Sequence, residues 1–241
     1  MGLLKVDTLE PEGATTTLTV GESGQNTVLP GNIIKFNTLK DAGGNTLFVS
    51  DGAGALSSVN SAFGSTTSLV SGQTFTNQSS VTFSSAMITS TFKEYVFAFY
   101  NVNPSTNDVS FTFQANTGFN QVITSNYCYQ QANGNTSLGK GENAAAAQEQ
   151  GTAEQMLANN LTNDADQGLS GEMHLMNPSS TTYKTHWFGG CAFTQRDAPS
   201  PWSTWTHFGG YFDSDSTAID TIRFSISGGT MDGTIKLWGW K

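Results

Sequence analysis

Apolar and polar residues alternate along much of the second half of the chain, and a period of two predicts half-buried β-strands. Val109, Phe111 and Phe113 share one face, with Ser110 and Thr112 on the other. The run Tyr95 to Tyr100 is a second strand, dense in aromatics. The turn formers from Asn103 to Asp108 lie between them, so the two strands read as a hairpin. Further strands are predicted at Val122 to Tyr129, Glu172 to Met176, Tyr183 to Phe193, Thr204 to Phe212, Ile219 to Ser227 and Thr234 to Trp240. Strands at this spacing, with turn signals between them, point to a sandwich or jelly roll. The tetra-alanine run Ala144 to Ala147 suits a helix, but Gly151 interrupts it. The reading there is a loop followed by a strand from Glu154 to Leu161.

The first part of the chain carries a weaker pattern. Short strands are predicted at Thr15 to Val20, Thr27 to Phe36 and Thr46 to Val49, with turns at Pro30-Gly31, Gly43-Gly44 and Asp51-Gly52. Ala53 to Ser85 is mostly small and polar, and 53–75 also reads as a linker. So few large apolar side chains cannot bury much core alone. Such a segment gains stability by sharing its apolar positions with other copies. The expected architecture is all-β. A short-stranded anchor or shaft over residues 1–85 precedes an antiparallel, jelly-roll-like β-sandwich over 86–241.

Composition sharpens this picture. Only 12% of the 241 residues are charged, while Thr (32), Ser (26) and Gly (26) are abundant. Hydroxyls suit strands and turns better than helix interiors. The net charge is −9, and the ten Lys and Arg are scattered singly. Nucleic-acid binding calls for a clustered basic footprint, so no nucleic-acid partner is expected. No stretch reaches the ~20 apolar residues of a membrane helix, and Met1 to Glu10 contains no signal-peptide core. Membrane insertion is therefore not expected. Cys128 and Cys191 read as two free, strand-borne thiols.

Candidate chemistry is sparse. His174, His186 and His207 show no paired ligand spacing, so no metal site is expected. Ser170 in Gly168-Leu169-Ser170-Gly171 lacks the nucleophile-elbow pattern. No phosphate- or dinucleotide-binding loop occurs, and no cofactor is expected. Asp164, Asp166, Asp213 and Asp215 are paired carboxylates in turn-like sequence. Glycoside hydrolysis needs two carboxylates across a cleft, which sequence neighbours do not supply. Asp164-x-Asp166-x-Gly168 is part of a calcium-loop pattern, without the distal Glu. The five tryptophans carry more information. Trp187, Trp238 and Trp240 fall in predicted strands. Trp202 and Trp205 fall in a loop held by Pro199 and Pro201. Rigid aromatic rings can stack on a sugar or fill a subunit interface. Trp202, Trp205 and Tyr211 are accordingly the candidate glycan or partner contacts.

Several stretches carry a resemblance. They are Leu4 to Leu9, Gly44 to Gly52, Tyr95 to Pro104, Gly171 to Ser180 and Gly233 to Gly239. In these pieces the chain resembles small virion proteins of marine, cyanophage-like bacteriophages, of the tail-fibre or appendage type. The resemblance implies a virion location, an N-terminal attachment or shaft segment, a C-terminal β-sandwich head and a homotrimer. It implies no catalytic residue, and the expectation is a protein without enzymatic activity. Leu4, Val6, Leu9, Ile33, Ile34 and Phe36 are the candidate positions for oligomer or virion attachment. The partners expected are copies of the chain, neighbouring tail or capsid proteins, and a host-surface glycan. The chain is short for a main tail fibre. That leaves a capsid decoration role as the alternative, with a glycan depolymerase third.

Overall fold

The computed structural model describes residues 37–41, 43–53, 56–59, 66–116, 118–133, 137–195, 202–213 and 217–241. The chain divides into two units, residues 1–63 and 64–241. The strands expected at Thr15 to Val20 and Thr27 to Phe36 lie outside the described residues, as do Leu4, Val6, Leu9, Ile33, Ile34 and Phe36.

The first unit contains an antiparallel sheet of three strands, β1 (Thr38–Lys40), β2 (Thr46–Ser50) and β3 (Leu56–Val59). The expected turn between β1 and β2 forms for a local reason. The Asp41 carboxylate accepts from the Asn45 backbone N–H at 2.8 Å, and Gly44 takes a φ of +82°. Glycine adopts that left-handed region without the steric cost of a Cβ. The Asn45 hydrogen bonds hold the Asp41 carboxyl below its ordinary range.

The second unit is all-β, and its described residues contain twelve strands. They are β4 (Thr67–Gln78), β5 (Ser80–Phe83), β6 (Glu94–Pro104), β7 (Val109–Ala115), β8 (Ile123–Asn133), β9 (Ser137–Glu142), β10 (Gln155–Leu161), β11 (Leu169–Met176), β12 (His186–Gln195), β13 (Trp202–Phe212), β14 (Ile222–Ile226) and β15 (Met231–Trp240). Every pairing is antiparallel. One layer runs β4-β15-β6-β11-β12-β13-β8-β9, and the other runs β5-β14-β7-β10. A single residue pair, Leu161↔Gln195, links β10 to β12, so the whole curls toward a barrel.

The expected domain boundary moves. Residues 67–83, assigned above to the N-terminal segment, form β4 and β5 of the larger unit. Their sequence is polar because β4 is an edge strand with few buried positions, Phe75 being one. The hairpin expected between Tyr95–Tyr100 and Val109–Phe113 is also corrected. β6 pairs with β11 and β15, whereas β7 pairs with β10 and β14. Pro104 ends β6, and Asp108 turns the chain with a φ of +60°. The two strands then face each other across the core, where Phe99 and Phe111 meet edge-to-face at 5.3 Å. Both strands bury aromatics on one side, which suits opposite layers as well as neighbours in one layer.

The core follows from these inward faces. Phe83, Phe97, Phe99, Phe111, Phe113 and Phe224 form a contiguous aromatic cluster with Phe224 at its centre. Trp187 of β12 joins it through Phe113 at 4.9 Å. The two hairpins that extend the long layer, β8–β9 and β12–β13, are tied down by buried polar groups. Thr206 donates from Oγ1 to the Leu157 carbonyl at 2.8 Å. Gln114 donates to the carbonyls of Gln121, Thr152 and Ala153, and Gln155 donates to that of Ala146. A buried polar group left unpaired would be costly, so these bonds fix β13 against β10 and hold the loops beside β8 and β10 against β7 and β10. Ala144 to Ala147 is a single turn, opened by Asn143, whose side chain accepts from the Ala145 N–H. Cys191 faces inward and Cys128 outward, with β13 between their strands, and both are free. Burial pushes the Cys191 thiol far up.

Candidate functional site

The outer face of the long layer concentrates the side chains that chemistry or binding would use. Pairing register puts Trp238, Val96, His174 and Phe188 in one row across β15, β6, β11 and β12. A second row runs Trp240, Glu94, Met176, His186 and Tyr211. A third holds Trp205, Gln130 and Lys140 across β13, β8 and β9. Leu69, Tyr100, Phe188, Trp205 and Trp240 are large hydrophobic residues exposed on this face.

Trp202 and Trp205 do not lie in the expected proline-held loop, because β13 begins at Trp202. Alternation along that strand separates the pair. Trp202 shares its side with the buried Thr204 and Thr206, whereas Trp205, His207 and Tyr211 share the outward side. Trp205 and Tyr211 are six residues apart on one strand, about 20 Å. Of the three candidate contact residues, the structure therefore gives Trp205 and Tyr211 separate surroundings.

Tyr211 sits in a charged corner. Its ring is 5.7 Å from that of His186 and carries the Lys184 ammonium 4.7 Å above it. Lys184 also pairs with Asp213, which accepts from Thr124 as well. The Lys184 hydrogen bond holds the Asp213 carboxyl below its ordinary range. At the centre of the face, His174 Nδ1 is 2.6 Å from Glu94, and Nε2 is 3.4 Å from Glu172. Its ring stacks on Phe188 at 4.8 Å with an interplanar angle of 7°. The histidines thus share one face but have separate partners. Among the described residues, no group of three His, Cys, Asp or Glu side chains is placed to hold a metal ion.

Trp205 stands over a glycine. A Cβ at Gly190 would come within 2.9 Å of the indole Nε1, so the ring lies down on that backbone. The His207 ring flanks it at 4.7 Å. The indole remains 53% exposed and forms one wall of a groove of about 520 Å³. Gln130, Gln131, Ala132, Gly139, Lys140 and Ser203 complete the groove. Sequence reasoning missed Gln130, Lys140, His207 and Gly190. The alternation Trp205-Thr206-His207 could have revealed His207. No local signal marks β9, whose sequence is rich in glycine and charge.

A second hollow, of about 660 Å³, lies at one end of the unit. Asn77, Asn101, Asn103, Asp166, Asp232 and Thr230 are among its walls. Several of these groups hold the loops themselves. Asn103 donates to the Asp164 and Gln167 carbonyls, and the Asp232 carboxylate accepts from the Asn77 N–H. Of the four paired carboxylates, Asp164 and Asp166 are in this exposed loop, Asp213 is held by Lys184, and Asp215 lies outside the described residues. Comparison of the chain with protein-family models, curated proteins and solved structures found no match.

Proposed function

We propose that this chain is a structural and adhesive protein of a bacteriophage particle, of the short tail-fibre or appendage type. The observation that carries the reading is the outer face of the long layer. A filled aromatic core stabilises the sandwich from inside, yet large aromatic rings stand exposed on rigid strands outside. Such rings suit contact with a sugar or another protein chain. The strand order adds support. With the hairpins β8–β9 and β12–β13 set aside, the layers read β4-β15-β6-β11 and β5-β14-β7-β10. The first, third, sixth and eighth of these strands share one layer, and the second, fourth, fifth and seventh share the other. We read this winding as the two Greek keys of a jelly roll.

In this reading the segment before residue 64 attaches to the particle and associates with sister copies in a homotrimer. The larger unit points outward to a host-surface glycan. Many weak contacts multiplied by copy number give avidity without one strong site. The role is binding, not catalysis. Labelled antibody against the purified protein, viewed on particles, is expected to mark the tail or its appendages. Label on the head alone would replace this reading with capsid decoration. Light scattering on the full chain is expected to report three copies. A cooperatively melting monomer would overturn the shared-core argument.

A further inference from the structure

We propose that the groove beside Trp205 binds an anionic sugar, a pyranose bearing a carboxylate or sulfate. The sugar ring lies on the indole, its hydroxyls meet the Gln130 amide, and its acidic group meets the Lys140 ammonium. The proposal rests on the adhesive reading above and names the ligand class of one site within it.

Register places the three side chains. Trp205, Gln130 and Lys140 are directly opposite one another on adjacent strands, all on the outer face. Strands lie about 4.8 Å apart, so about 10 Å of sheet separates the indole from the lysine position. Ser203 and Ala132, which flank this row on one side, are small, and the Trp205 ring remains exposed beside them. The indole is held in advance by the Gly190 backbone beneath it and the His207 ring beside it. A platform already immobilised loses little conformational entropy when a ligand settles on it.

The chemistry of the row selects the ligand. A rigid aromatic face offers stacking, and an amide offers both donors and an acceptor, which matches a hydroxyl-rich ring. Neither Gln130 nor Lys140 makes a side-chain hydrogen bond or ion pair among the described residues, so both are free to meet a ligand. Among the described residues Lys140 is the only charged one lining the groove, and Glu142, two residues along β9 on the same face, lines the neighbouring hollows. One ammonium in a chain of net charge −9 favours a single local anion over a polyanionic backbone, which requires a basic track. A protein partner would need a broad apolar patch. Here the next exposed aromatic on β12, Phe188, stands four residues, about 13 Å, from the Ala192 position opposite Trp205.

The test uses the full chain on an oligosaccharide array in which each neutral chain is paired with its uronate-bearing and its sulfated counterpart. Wild-type protein is expected to favour acidic members over neutral ones, and the uronate and sulfate arms identify which anion is preferred. Trp205→Ala is expected to weaken that binding at least tenfold, and Trp205→Phe to retain part of it. Lys140→Gln is expected to remove the preference for acidic members. Thermal melting of each variant confirms the fold, since these residues sit on the surface. Acidic-glycan binding that survives both Trp205→Ala and Lys140→Gln overturns this site and leaves the adhesive reading standing. Absence of binding to every array member, together with failure to block host adsorption, overturns both.

Discussion

Replacing Phe224 with alanine probes whether one ring joins the two layers of the sandwich. Phe224 is fully buried on β14. Its ring lies 5.1 Å from those of both Phe97 and Phe99 in the opposite layer, and 5.7 Å from Phe111 in its own. Truncating a buried phenylalanine to alanine costs about 3–5 kcal/mol, through lost transfer energy and the cavity left behind. The upper half of that range is expected here, because several edge-to-face contacts vanish together, each worth about 0.5–1.5 kcal/mol. With a urea m-value of about 2 kcal/mol/M, the midpoint should fall by about 2 M. Phe224→Leu keeps most of the volume and should cost about 1.5 kcal/mol. Tryptophan fluorescence is the proper signal, because all five tryptophans, at 187, 202, 205, 238 and 240, lie in the larger unit. Its transition therefore reports that unit and not the first. A loss below about 1 kcal/mol for Phe224→Ala, at unchanged m, would refute Phe224 as the link between layers.

Other expectations follow from single contacts. Ala at Gly210 would press its Cβ into the Thr124 carbonyl oxygen and bring it 2.8 Å from the Trp187 ring, so Gly210→Ala should cost about 1–3 kcal/mol in a urea melt. A thiol reagent should label one cysteine per native chain, Cys128, and two after denaturation, because Cys191 is buried with its thiol pushed up. With the two cysteines on opposite faces of the layer, reductant should leave the melting temperature unchanged. The Asp213 carboxyl is held below its ordinary value of 3.8 by Lys184, so its ionised form favours the folded state. That contribution is present above about pH 4 and lost as pH falls through the lower folded value. Stability of wild type and Asp213→Asn should therefore differ most near neutrality and converge on acidification, as acid titration followed by fluorescence can show.

What the sequence made legible was each strand by itself. The inward residues of β6, β7, β11, β14 and β15 were visible as aromatics or aliphatics at every second position, and the buried cluster is built from them. The partners of those strands were not visible. The Asn103 to Asp108 turn is the same chemistry whether it closes a hairpin or carries the chain from one layer to the other. Only the burial of both faces against each other decides, as Phe99 against Phe111 shows. β4 escaped notice because an edge strand buries few positions and needs little apolar alternation, and β9 because its sequence is rich in glycine and charge. The groove was hidden for the same reason. Trp205 drew attention by residue type, yet its neighbours come from β8 and β9, some 65 to 75 residues earlier. A site assembled by register across three strands has no sequence spacing to read. It becomes visible once pairing is known, because in a sheet the residue opposite counts for more than the residue adjacent in the chain. The same reasoning separates Trp205 from Tyr211. Both were candidate contacts by residue type, and the rise of a strand gives each its own surroundings.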